Sequence, residues 1–310
     1  MANLAYIQII RRCNQTCRFC SNPENGRELP TPDVLRLLDE YAAQGCDGVI
    51  LTGGEPTLHE GLVEIIAHAA RIGLACRIIT NGQKTADPVY LETLLDAGLS
   101  HIHLSIHSHR APVQARLTGN RVSSANLVRT LFHLRDRGVA VDVNQTICAQ
   151  NADHVHETVR RLCRDFPYLK HFSWTYLDPY FNRVAENPDV VPRLSDSEHS
   201  LLDAMRFLTE TGRSFRIEKV PLCFMGEFAH FSTETRAMVK GEGRRIAFLD
   251  DRGDYSEVTW RYAKGAACAA CTLDGICAGL WDGGGAYSFD ELRTMTTDPA
   301  EVVRKVRNGG

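Results

Sequence analysis

LAYIQIIRRCNQTCRFC, residues 4–20, runs an apolar stretch ending at Ile10 into three closely spaced cysteines, Cys13, Cys17 and Cys20. The apolar stretch reads as a β-strand, which puts the loop CNQTCRFC at the strand's C-terminal end. Parallel α/β folds build their active sites on that edge. Five more apolar runs follow at roughly 25–35-residue spacing: GVIL (48–51), ACRIIT (75–80), HIHLSI (101–106), VAVDVNQTI (139–147) and KHFSWTY (170–176). Amphipathic helical stretches lie between them. In TPDVLRLLDEYAAQG, Thr31 or a neighbour is placed to cap the helix and Gly45 to stop it. Six strand–helix units predict parallel strands joined by right-handed crossovers. Periodicity alone does not separate a closed barrel from an open doubly wound sheet.

The pattern dissolves after LSDSEHSLLDAMRFLTETG, the last predicted helix of the series. From about residue 215 the chain is Gly-rich and carries four of its eleven cysteines. We therefore expect two domains, residues 1–215 and 216–310. The 310 residues suffice for a barrel-sized domain plus an appendage. Hydrophobic residues make up 44% and charged residues 24%, as in ordinary globular proteins. A net charge of −3 gives no electrostatic footprint for nucleic acid or an anionic membrane. The N-terminal apolar run is too short for a signal peptide, and no stretch approaches membrane-spanning length, so a cytoplasmic protein is expected.

Eleven cysteines in a chain of this size point to metal or redox chemistry rather than a disulfide framework. Cys46, Cys76, Cys148 and Cys163 sit singly in apolar surroundings and read as small core residues. Three thiolates fall one short of the four that complete a cubane iron–sulfur cluster, which leaves one iron open. An open coordination position marks a catalytic metal site. A zinc knuckle is the competing reading, but no fourth ligand lies nearby.

Cys13, Cys17 and Cys20 resemble the CxxxCxxC motif of the radical S-adenosylmethionine (radical SAM) superfamily. Gly53, Gly54, Glu55 and Pro56, closing the second strand in GVILTGGEP, are similar to its GGEP motif. The resemblance spans about residues 5–215 and implies a partial (β/α)6 TIM-type barrel. It implies that the three cysteines hold a [4Fe–4S] cluster whose fourth iron is chelated by the amino and carboxylate groups of SAM. One electron, from a donor such as flavodoxin or ferredoxin, would cleave the sulfonium to methionine and a 5′-deoxyadenosyl radical that takes hydrogen from substrate. In this reading the glycines let backbone carbonyls approach the SAM amine, and Pro56 stiffens the turn. Phe19 matches the position beside adenine, and Asn81, Ser105, Arg116 and Asn144 match polar or basic positions that contact SAM.

Alternation along HIHLSIHSH places His101, His103, Ser105 and His107 on one face, opposite Ile102, Leu104 and Ile106. The first histidines invite a third metal, but satisfied interior histidines are the commoner case. His107, nearest the barrel mouth, is the candidate substrate contact or proton carrier.

Cys268, Cys271 and Cys277 in CAACTLDGIC resemble the core of the SPASM and Twitch extensions that carry auxiliary iron–sulfur clusters. A full SPASM domain has a further cysteine where this chain has Trp281. Cys223 brings the C-terminal thiols to four, enough for one auxiliary [4Fe–4S] cluster in a small Twitch-like extension. Structural zinc is the runner-up, and Cys223 is alternatively a free thiol that donates hydrogen to a substrate radical. RRIAFLDDRGDYSEVTW is expected to form a strand–turn–strand piece packed under that cluster.

Such architectures most often modify ribosomal peptides or protein side chains, and otherwise small molecules in cofactor or natural-product biosynthesis. The first strand starts by about residue 5, so no leader-recognition domain is expected before it. A peptide would then need a separate recognition protein, or would bind directly at the mouth near SWTYLDPY (173–180). Two other classes compete. A non-catalytic iron–sulfur or zinc sensor would not need GGEP, and an α/β methyltransferase would need a glycine-rich turn where this chain has cysteines.

Overall fold

The computed structural model describes residues 3–22, 24–177, 183–241, 245–247, 249, 256–257, 262–281 and 285–309. Strands and helices alternate as the apolar spacing requires. In order they are β1 (Leu4–Ile10), α1 (Thr31–Ala43), β2 (Gly48–Gly53), α2 (Leu62–Arg71), β3 (Ala75–Thr80), α3 (Pro88–Asp96), β4 (His101–Ser105), α4 (Ala111–Thr118) and α5 (Ser123–Leu134). There follow β5 (Ala140–Ile147), α6 (Val155–Asp165), β6 (His171–Tyr176), α7 (Leu194–Glu210), β7 (Ser214–Glu218) and α8 (Thr233–Lys240). The C-terminal part adds β8 (Arg245–Ala247), β9 (Ser256–Glu257), β10 (Tyr262–Ala263), β11 (Leu280–Trp281) and α9 (Pro299–Arg307).

Strands β1 to β7 pair in sequence order, all parallel, forming a curled half-barrel open between its edges. Each strand shows one apolar and one polar face. In β4, Ile102 and Leu104 are fully buried under the helices, while His101, His103 and Ser105 line the concave side. β6 repeats this, with Phe172, Trp174 and Tyr176 buried and His171, Ser173 and Thr175 facing the lumen. The helices cover the convex side with matching stripes, such as Val34, Leu37, Leu38 and Tyr41 of α1.

Two expectations are corrected. Thr31 does not cap α1. It is the first helical residue, with Pro30 at the cap and no side-chain cap bond, while Gly45 ends the turn at φ 76° as anticipated. Beyond the six expected strand–helix units, β7 adds a seventh parallel strand beside β6, and residue 215 lies within it. The segment expected beneath the second cysteine cluster instead extends the barrel sheet. There β8 pairs in parallel with β1, Ala5 opposite Arg245, and β9 pairs antiparallel with β8. FRIE is too short for its period to show, and β8 finds its partner some 240 residues away. Asp178, Pro179 and Tyr180 of SWTYLDPY lie outside the described residues, as does most of the link between β8 and β9. Among the described residues, no helix is long and apolar enough to cross a membrane.

Candidate cofactor site

The cysteine loop is held by a continuation of strand pairing past the ends of β1 and β2. Gly54 N donates to Ile10 O at 2.6 Å and Glu55 N to Arg12 O at 3.0 Å. This closeness explains both glycines. A Cβ on Gly53, at φ 139°, would stand 2.0 Å from Ile10 O, and one on Gly54 would stand 2.4 Å from Arg11 O and 2.5 Å from Arg12 O. The glycines are there for the approach of two backbones, one of which leads straight into Cys13.

Glu55 is 1% exposed, and both its carboxylate oxygens accept hydrogen bonds. Oε1 accepts from Thr57 N, Thr57 Oγ1 and Thr80 Oγ1, and Oε2 accepts from Asn81 N at 2.7 Å. Burial pushes the carboxyl above its ordinary value while these donors pull it back. The Glu55 side chain ties the end of β2 to the end of β3. It thereby positions Asn81, whose Nδ2 donates to Asn14 Oδ1 at 2.7 Å and lies 3.7 Å from Cys13 Sγ.

All eleven cysteines are free thiols. Burial raises Cys13 to about 11, and the charges of Glu55 and Cys20 add to it. Burial also raises Cys17, whose neighbours Cys20 and Cys13 contribute. The three sulfurs thus sense one another, and a cationic centre among them would restore the thiolates that burial disfavours. Arg183, which the sequence reading missed, lowers both Cys17 and Cys20, and its N–H donates to Cys20 O. It follows a stretch more than 160 residues downstream, with no local signal to betray it.

Ser105 and Asn144 lie opposite each other in register and face the lumen. Phe19 is buried and packs edge-on against the His107 ring at 4.6 Å. His107 lies just past β4, and burial lowers it to about 4. Thr146 N donates to its Nδ1, so the neutral ring carries its proton on Nε2. The Arg116 guanidinium is 62% exposed and pairs with Asp189, which also binds Arg18 of the cysteine loop.

The second set of thiols converges. Cys223, Cys268, Cys271 and Cys277 line one cleft with Pro221, Leu273 and Leu292. Burial raises Cys223, and Cys277 adds to that; Cys277 in turn senses Cys268. Two cations border the cleft. Lys264 Nζ donates to Cys277 O at 2.7 Å and to Asp274, and Arg293 donates to Cys223 O at 3.0 Å. Four thiols around one cleft suit a four-ligand metal centre, and three thiols on a braced loop suit a centre with an open position.

A family described as the radical SAM superfamily matches residues 7–162. Among relatives, a PqqA peptide cyclase from Xanthomonas euvesicatoria is 26% identical over 296 residues, covering 91% of this chain and 74% of the relative. A PqqA peptide cyclase from Methylobacterium nodulans is 31% identical over 206 residues, covering 63% of this chain. The chain spans only about half of that second relative, 52% of its length. Among solved structures, Streptococcus suis SuiB bound to its precursor peptide SuiA superimposes with a TM-score of 0.66 at 15% identity, covering 90% of this chain and 72% of SuiB.

Proposed function

The chain belongs to the radical SAM superfamily, and on that premise we propose that it is a peptide-modifying enzyme with one SAM-linked cluster and one auxiliary cluster. Cys13, Cys17 and Cys20 would hold the first [4Fe–4S] cluster, and Cys223, Cys268, Cys271 and Cys277 the second. With SAM bound, the first cluster supplies the 5′-deoxyadenosyl radical that abstracts hydrogen. The observation that carries this reading is the cysteine loop, the Gly53–Glu55 segment and Asn81 locked together at the C-terminal edge of the barrel.

The chain's own residues do the rest. Glu55 fixes the β2 and β3 ends so that Asn81 reaches the loop. Ser105 and Asn144 offer polar groups on the lumen side for ribose or methionine. Phe19 and the neutral His107 close the loop's inner side and exclude water, with the His107 Nε2–H as a donor of fixed tautomer. The division into a barrel and a Twitch-like C-terminal domain belongs to this reading, with the boundary moved past β7. A peptide substrate is supported by the PqqA cyclase relatives and by the peptide seated in SuiB. A one-electron donor such as flavodoxin or ferredoxin would reduce the cluster, and a separate recognition protein would present the peptide. The test is anaerobic reconstitution with SAM and dithionite. Formation of 5′-deoxyadenosine and methionine supports the class, and its absence from fully iron-loaded protein overturns it.

A further inference from the structure

The lumen face carries a cluster that the thiol sites do not use. His101 and His103 project from β4, and Asp142 of β5 lies directly opposite His103 in register. His101 Nε2 is 2.9 Å and His103 Nδ1 3.3 Å from the same oxygen, Asp142 Oδ2, with the side chains only 16%, 12% and 12% exposed. Two imidazoles share one carboxylate oxygen, an arrangement that leaves buried ring nitrogens poorly served. His101 Nε2 is buried without an aligned hydrogen bond, and His103 Nε2 is buried with no partner among the described residues. A satisfied pair of interior histidines would direct each N–H to its own acceptor.

The three donor atoms all lie within 4.8 Å of one another. A tetrahedral ion with bonds of about 2.0–2.1 Å sets its ligands about 3.3 Å apart, and the separations to Asp142 Oδ2 come close to that spacing. The two rings stack with centroids 4.5 Å apart, on the face that Asp142 also joins. We infer that His101, His103 and Asp142 form a binding site for one divalent transition-metal ion of the zinc class, with its fourth position open to the lumen.

His171, opposite Asp142 on β6, is not a fourth ligand, because both its ring nitrogens are engaged by Ser214 and Ser173. Arg77, opposite His101 on β3, has a buried Nε without a partner among the described residues, and its charge opposes a cation. The fourth position would therefore take an anionic oxygen donor, a hydroxide or a carboxylate, lying between the ion and Arg77. His103 precedes His107 by four residues, or about 13 Å of strand, so the ion would sit on the barrel floor, well below the cysteine loop.

The test uses the full chain with both clusters reconstituted, so that the thiols are occupied. Cobalt(II) titration should give one equivalent bound, with visible d–d bands and no thiolate-to-cobalt charge transfer. Zinc should displace it one for one. Outer-sphere ligand partners are worth roughly 10–100-fold in metal affinity, so His103→Ala and Asp142→Asn should each weaken binding at least about 100-fold. Arg77→Gln, which leaves the ligands intact, should tighten it. Absence of stoichiometric cobalt in the unmodified chain, or a spectrum of thiolate ligation, would overturn the site even if the ligand variants failed to fold.

Discussion

Gly54 faces backbone on two sides, and that sets what replacing it would do. In Gly54→Ala the new methyl meets Arg11 O and Arg12 O at 2.4 and 2.5 Å, and neither can swing away as a side chain would. The strand end must shift and carry Cys13 with it. Iron content should fall from about eight to about four per chain, with the auxiliary signal retained in EPR. A glycine needed only to let a ligand approach would leave all the iron in place. Glu55→Gln replaces two acceptor oxygens with one and sets an amide N–H₂ against buried donors. It should cost about 1–3 kcal/mol in denaturant unfolding, the usual penalty for a buried polar mismatch. His107 adds a pH signature. Its folded value of about 4 lies below the ordinary 6.5, so the unfolded chain binds the extra proton between those values. Stability is therefore full above about pH 6.5 and falls as pH drops toward 4, by about 3 kcal/mol from this residue. His107→Gln should flatten part of that slope in unfolding measured against pH, while His171, also lowered to about 4, keeps its own share. The thiol loop and GGEP were legible at this scale because their residues are adjacent in sequence. The Glu55 brace was not, since its partners Thr80 and Asn81 stand 25 and 26 positions on.

The helices and strands settle how the C-terminal cleft is held. At the N-terminus of α7, Asp196 accepts from the backbone N–H of Arg193, and the first helical amides are met from far along the chain by Glu291. Glu291 accepts from Leu194 N, Ser195 N and Ser195 Oγ. Two residues on, Arg293 bonds Glu198 and the carbonyl of Cys223. A carboxylate on helix amides adds about 1 kcal/mol or more, and here it clamps the cysteine cleft to the barrel. Glu291→Ala should raise the rate of iron loss to a chelator from the auxiliary site and leave the first site untouched. Cys223→Ala should remove the auxiliary cluster outright, halving the iron; full iron with an intact auxiliary signal would instead make Cys223 a free thiol. The alternation of β4 and β6 was readable from their two-residue period. Cys223 was readable only by counting thiols, because the fold that closes it onto Cys268, Cys271 and Cys277 is long-range.

At the scale of the whole molecule, the parallel order of β1 to β6 followed from the strand–helix rhythm, and the half-barrel from the resemblance carried by two short motifs. What escaped was the far edge. The β1 edge of the sheet is covered by β8, which pairs Ala5 with Arg245 across 240 residues of chain. A chain made at about 5–20 residues per second leaves β1 with a bare edge for roughly 12–48 s. During that interval the strand that leads into the thiol loop is a template for stray pairing. Synthesis therefore imposes a timetable: the first thiols are exposed together with an unpaired edge until the C-terminal third has been translated. Slow translation, which lengthens that interval, should raise the insoluble fraction, and any factor that delivers iron early would meet a nascent chain whose barrel is still missing its last stave.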